Sequence, residues 1–246
     1  MARCAIIERP SPNFDARRCA VDMLVLHYTG MPTGEAALAR LCDRAAKVSA
    51  HYLIEDDGRV FRLVAEGARA WHAGVARWSG AGDVNSRAIG IELVNPGHDW
   101  GYRPFAPAQM AALADLCRDI LARHAIPPWH VLGHSDVAPT RKRDPGELFD
   151  WAWLAARGVG LWVDTEPGAQ GRSLTAPEWR RLQTALAAFG YDMPTTGRQS
   201  RQANAVVCAF HAHFRPAAMG WPADDISLSL IEALLARQRS SPPSVS

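Results

Sequence analysis

Two histidines and an aspartate carry the most pointed chemistry in this 246-residue chain. His27 ends the apolar run Asp22-Met-Leu-Val-Leu-His27, and His134 follows a second run in Gly133-His134-Ser135-Asp136. Strand ends are where layered α/β domains present functional groups. Further on, Lys142-Arg143-Asp144-Pro145-Gly146 places a proline directly after a carboxylate. The fixed φ of Pro145 predicts a stiff turn at a helix start, with Asp144 projecting from it. Two imidazoles, one carboxylate and an open fourth position form the ligand set of a catalytic zinc site. Spacing alone leaves a satisfied core or surface histidine open at each position. A serine nucleophile is poorly supported, because Gly133-His-Ser135-Asp lacks the second glycine of a nucleophile elbow.

Elements that could position these groups are legible from periodicity. Asp22–His27, His51–Ile54, Val60–Val64, Ala88–Val94 and Trp129–Gly133 read as strands, and Glu35–Lys47, Pro107–His124 and Pro145–Arg157 as helices. Asp57-Gly58, between the second and third strands, predicts a type I′ hairpin. Strands alternating with helices predict an α/β domain over 1–160, most clearly over residues 20–160. A Gly/Pro-rich linker is expected at 161–173. A small three-helix bundle follows at 174–239, opened by the capping box Thr175-Ala-Pro-Glu178, and 240–246 is expected to be a disordered tail.

Composition removes several functions. The 27 basic and 25 acidic residues nearly cancel and are mixed along the chain, which argues against a phosphate-reading nucleic-acid face. No uncharged run approaches the ~20 residues that span a bilayer. The first apolar run is shorter than a secretory core, so the expected compartment is cytoplasmic, with the periplasm second. Cys4, Cys19, Cys42, Cys117 and Cys208 are widely spaced, predicting reduced thiols rather than a metal cluster. A monomer is expected. Only two of the 27 basic residues are lysines, Lys47 and Lys142.

Five segments in order carry a resemblance: Leu26-His27-Tyr28-Thr29, Ser49-Ala50-His51-Tyr52-Leu53-Ile54, Ala70-Trp71-His72-Ala73-Gly74, Ile89-Gly90-Ile91-Glu92-Leu93 and Gly133-His134-Ser135-Asp136…Lys142-Arg143-Asp144-Pro145-Gly146. Together they resemble the zinc-dependent N-acetylmuramoyl-L-alanine amidase family, type 2, over residues 20–155. The resemblance implies a mixed β-sheet flanked by helices, with one zinc ion in a surface groove held by His27, His134 and Asp144. Glu92 matches the acidic residue that acts on the attacking water, and Lys142 the lysine near the scissile carbonyl. A solvent-facing strand carboxylate and a solvated loop charge are the plainer readings of those two. The partners implied are peptidoglycan fragments (muropeptides).

Trp71, His51 and Tyr28 are candidate substrate contacts, and His72 is expected to build the groove wall rather than bind metal. His98, His124, His130, His211 and His213 are read as structural. Ala50, where phage enzymes have tyrosine, and Glu92 place the chain with the bacterial amidase branch, and Tyr28 departs from members with asparagine there. Residues 182–216 resemble a peptidoglycan-binding three-helix module. A muropeptide sensor on the same fold could discard ligands, whereas this chain has the full set.

Overall fold

The computed structural model describes residues 5–166 and 168–240. Its strands are β1 (Ile6–Glu8), β2 (Phe14–Ala16), β3 (Met23–Tyr28), β4 (Tyr52–Ile54), β5 (Val60–Arg62), β6 (Ala68–Ala70), β7 (Ala88–Leu93) and β8 (Val131–Gly133). The helices are α1 (Gly34–Cys42), α2 (Val84–Arg87), α3 (Pro107–Leu121), α4 (His134–Val137), α5 (Trp151–Ala155), α6 (Ala176–Phe189), α7 (Arg201–Phe214) and α8 (Asp225–Ser240). Six strands form one mixed sheet in the order β1-β5-β4-β7-β3-β8, and β2 pairs with β6 in a small antiparallel ribbon. The mixed sheet flanked by helices is the architecture expected from the sequence.

Strand β3 shows how the sheet is held. Met23 and Val25 enter one apolar cluster and Leu24 and Leu26 another, so successive side chains feed cores on opposite faces. Burial on both faces explains why this strand reads as a continuous apolar run rather than an alternating one. Helix α3 covers one face with Met110, Leu113, Leu116, Cys117 and Ile120, which recur at helical spacing. The other face is covered by the C-terminal helices. Trp179, Leu182, Leu186, Phe189, Phe210 and Phe214 share a single core with Met23, Val25, Ala88 and Leu132.

The segment expected as a linker, 161–173, leads into this shared core. The three helices form as the sequence predicts, with the Glu178 carboxylate accepting from the Thr175 N–H at 2.9 Å. They pack as a layer against the sheet. The connecting segment is itself fastened down: Gly171 N–H donates to Asp224 at 2.9 Å and Arg215 to the Ala169 carbonyl at 2.6 Å. Ser240 closes α8, and the expected tail beyond it lies outside the described residues.

Two local expectations also change. Only Gly58 in the β4–β5 turn has positive φ, +87°, and its N–H donates to the Glu55 carbonyl at 2.9 Å. This is a three-residue loop with a glycine bulge, not the two-residue type I′ turn, which needs two such residues. The helix predicted from Pro145 begins only at Trp151. The Tyr102 hydroxyl donates to the Pro145 carbonyl at 2.7 Å and accepts from Leu148 N–H at 3.0 Å, holding the intervening segment out of helix. Asp150 then caps α5 by accepting from Trp153 N–H at 2.8 Å.

Candidate active site

Three adjacent parallel strands deliver the site. In the register of β7, β3 and β8, His27 lies beside Glu92 and Leu26 beside Gly133, so His134 begins just past the end of β8. His27 and Glu92 therefore stand at the carboxyl ends of neighbouring strands, where open α/β sheets place their binding crevices. The loop after α4 brings Asp144 back across this edge, fixed by a 2.9 Å bond from Ser135 N–H to the Asp144 carbonyl.

The three donor atoms meet closely. His27 Nδ1, His134 Nδ1 and Asp144 Oδ2 lie 3.0 Å from one another on every side of the triangle. All three residues are buried. His134 Nε2 faces the Ala73 carbonyl at 3.0 Å and must carry the ring proton, which leaves Nδ1 as a lone pair aimed into the triangle. Burial first and His134 next lower the His27 imidazole to about 4, so it is neutral at physiological pH, as a metal ligand must be. Burial alone would raise the Asp144 carboxyl, but the two imidazoles beside it hold it well below the usual carboxylate range. Two imidazoles and one carboxylate on one point fit a divalent ion of the zinc type, whose donor distances of roughly 2.0–2.2 Å such a triangle accommodates.

The triangle opens into a groove of about 400 Å³ lined by Tyr28, Trp71, His72, Glu92 and Lys142 among others. Glu92 is partly exposed to it, yet its Oε2 is buried with no hydrogen-bond partner. Burial, reinforced by the Asp144 carboxylate and opposed by Lys142, pushes the Glu92 carboxyl well above its ordinary range. A carboxyl moved toward neutrality is suited to giving and taking protons. Lys142 is exposed on the groove wall and has no ion-pair partner among the described residues. His72 backs the site through a 3.0 Å contact with His27 Nε2. Gly90 makes room for it, since a Cβ there would collide with the His72 ring.

A family model described as N-acetylmuramoyl-L-alanine amidase (Amidase_2) matches residues 17–147, more than half of the chain. The chain belongs to this family. This amidase is 38% identical to Escherichia coli N-acetylmuramoyl-L-alanine amidase AmiD, over 96% of this chain and 93% of that protein. It is 35% identical to the Haemophilus influenzae 1,6-anhydro-N-acetylmuramyl-L-alanine amidase AmpD, over 57% of this chain and 85% of that protein. A solved complex of E. coli AmiD with the substrate anhydro-N-acetylmuramic acid-L-Ala-D-gamma-Glu-L-Lys superposes with a TM-score of 0.79 at 36% identity, covering 92% of this chain and 95% of that one. The Pseudomonas aeruginosa AMPDH3 complex with anhydromuramic pentapeptide gives 0.76 at 32% identity, covering 89% and 92%.

Most of the residues singled out from sequence converge in this amidase, but not all. His27, His134, Asp144, Glu92, Lys142, Trp71 and Tyr28 all line the groove. His51 does not. It is fully buried behind His72, accepting from Gly90 N–H at 3.0 Å and facing the Ala68 carbonyl at 3.1 Å, so both ring nitrogens serve the backbone. Trp71 donates its indole N–H to Asp15 at 2.7 Å, which fixes the ring in the wall. Among the histidines read as structural, His98 lines the groove, bonded to the Tyr28 hydroxyl at 3.0 Å and to Glu147 at 3.1 Å. No local pattern announces His98, because its role arises from a loop folding onto Tyr28.

Proposed function

We propose that this amidase holds one zinc ion on His27, His134 and Asp144 and hydrolyses the amide joining the lactyl group of N-acetylmuramic or 1,6-anhydro-N-acetylmuramic acid to L-alanine of the stem peptide. The observation that carries the reading is the triangle of three buried donor atoms at 3.0 Å, opening on a groove beside a carboxyl group without a partner. Zinc, when bound, acts as a Lewis acid and makes water a competent nucleophile near neutral pH. Glu92 takes the proton of the attacking water as oxygen bonds to the lactyl carbonyl carbon. It returns that proton to the alanine nitrogen as the C–N bond breaks. Lys142 supports the negative charge that builds on the amide oxygen. Tyr28 and Trp71 form walls against which the muropeptide packs.

The place of the reaction is peptidoglycan recycling or turnover by a monomer, in the cytoplasm as the first reading and the periplasm as the second. Fractionation of natively expressed protein separates the two. The substrate test incubates an anhydro-muropeptide and a reduced disaccharide-peptide with zinc-loaded protein, with and without chelator, followed by mass analysis. Free stem peptide is expected, lost on chelation and regained with zinc, and the product ratio reads the sugar preference. Release from neither substrate would sink the proposal.

The resemblance of the C-terminal helices to wall-binding modules is a separable part of the reading. Sedimentation of an Asp144→Ala variant with insoluble peptidoglycan tests it without turnover, and protein left in the supernatant refutes it.

A further inference from the structure

Asp136 is fully buried and takes no part in the triangle, yet it is the most heavily engaged carboxylate near it. It occupies the third position of α4, the four-residue helix that starts at His134. Its Oδ2 accepts from Gly133 N–H at 2.7 Å and from His213 Nδ1 at 2.7 Å, and its Oδ1 accepts from the Tyr191 hydroxyl at 2.6 Å. The first bond is local and caps the helix. The other two come from the C-terminal helical layer: Tyr191 follows α6, and His213 sits in the last turn of α7.

A helix of one turn has almost no stability of its own. The position of His134 must therefore be imposed from outside, and the Asp136 carboxylate is where that grip is applied. His213 is itself clamped, stacked on Trp151 at 3.7 Å between ring centroids. Trp151 opens α5, at the end of the segment that carries Asp144. Tyr191 packs edge-on against Trp78 at 4.9 Å, in the loop after His72, and the neighbouring Arg77 N–H donates to the Val137 carbonyl at 2.8 Å. The two donors thus tie together the segments bearing both His134 and Asp144.

We infer that Tyr191 and His213 are positioning residues for His134: the helical layer holds the ligand-bearing turn through Asp136, so residues beyond the family-matched segment set metal affinity. The affinity consequence rests on the proposed zinc site; the ordering of the turn does not.

The test uses three full-length variants. His213→Phe keeps a ring for Trp151 but removes the donor, His213→Asn keeps a donor at the place of Nδ1, and Tyr191→Phe removes the hydroxyl alone. Zinc affinity is read by competition with a chromophoric chelator. The order of residues 133–138 is read by amide hydrogen exchange on metal-free protein, with thermal unfolding as the control for global stability. The two Phe variants are expected to bind zinc about tenfold or more weakly, as outer partners of metal ligands do. They should also exchange faster at 133–138 while segments remote from α4 stay protected, and His213→Asn should restore both readings.

Parental affinity and parental exchange in the folded Phe variants would overturn the inference. If the parent protein binds no zinc, the metal reading fails and the exchange data alone decide the positioning. Should His213→Phe not fold, Tyr191→Phe carries the same comparison.

Discussion

Two buried clusters in this molecule use nearly the same residue types and are built to opposite ends. At the sheet edge, His27, His134 and Asp144 converge, with Glu92 and His72 around them. In the helical layer, His211, Asp224, Ser227 and Arg215 do the same. Arg215 grips Asp224 through both carboxylate oxygens at 2.6 and 3.0 Å, and Ser227 N–H donates to Asp224 at 2.9 Å. His211 faces the Ala218 carbonyl at 3.0 Å and Ser227 Oγ at 2.8 Å.

No buried side-chain nitrogen or oxygen of that second cluster lacks a partner, whereas Glu92 Oε2 and His72 Nε2 at the sheet edge have none. A histidine, an aspartate and a serine within hydrogen-bond reach do not make a reactive centre when their capacity is spent on one another. A native fold satisfies nearly all buried polar groups, and Glu92 is an exception that also lines the groove beside the three converging donors.

The contrast predicts opposite responses to mutation. Asp144→Ala should abolish metal binding and turnover altogether while the protein stays folded, checked by metal analysis and circular dichroism. Glu92→Gln should lower kcat by about 10²–10⁴ with metal retained. Its melting temperature should hold, since an amide of the same size takes the carboxyl's place. In the closed cluster, Asp224→Ala strands the buried Arg215 charge and should cost about 3–5 kcal/mol in denaturant unfolding, with turnover per folded molecule unchanged. Lys142→Arg should keep zinc and fold and lose about 10²–10³ in turnover, because a planar guanidinium does not replace a compact ammonium beside a developing oxyanion.

The smallest effect is a pH dependence. Burial, helped by the Arg215 charge, lowers His211 to about 4 from an ordinary 6.5. The unfolded chain therefore binds the extra proton between those values. The contribution is complete above about pH 6.5 and falls away toward pH 4, by about 3 kcal/mol. His211→Gln should flatten that part of the unfolding profile; a slope identical to the parent's would break the assignment.

The core of the site was legible because its chemistry follows buried, strongly apolar runs. His27, Glu92 and His134 sit on or just beyond β3, β7 and β8, whose runs are visible without a partner. The side-by-side register of His27 and Glu92 was not legible, because pairing is a property of two strands. Strands β1, β2 and β6 are three residues long, and the first two are exposed along their whole length, so they leave no periodic signal. The amphipathic spacing of Trp179, Leu182, Leu186 and Phe189 announced a helix and not the surface it covers. That surface is one face of the mixed sheet.

His51 misled because its position beside a strand fits a groove residue equally well until the backbone claims both ring nitrogens. Asp136 lies within Gly133-His134-Ser135-Asp136, but its partners Tyr191 and His213 are 55 and 77 residues away and nothing local points to them.

The most direct test of the site is hydrolysis of anhydro-N-acetylmuramic acid tripeptide in ¹⁸O-labelled water by zinc-loaded protein, read by mass spectrometry. Attack at the lactyl carbonyl beside Glu92 places one labelled oxygen in the muramic carboxylate and none in the released peptide, and the reaction stops in Glu92→Gln and after chelation. Label in the peptide, or unchanged cleavage once the metal is removed, would contradict it.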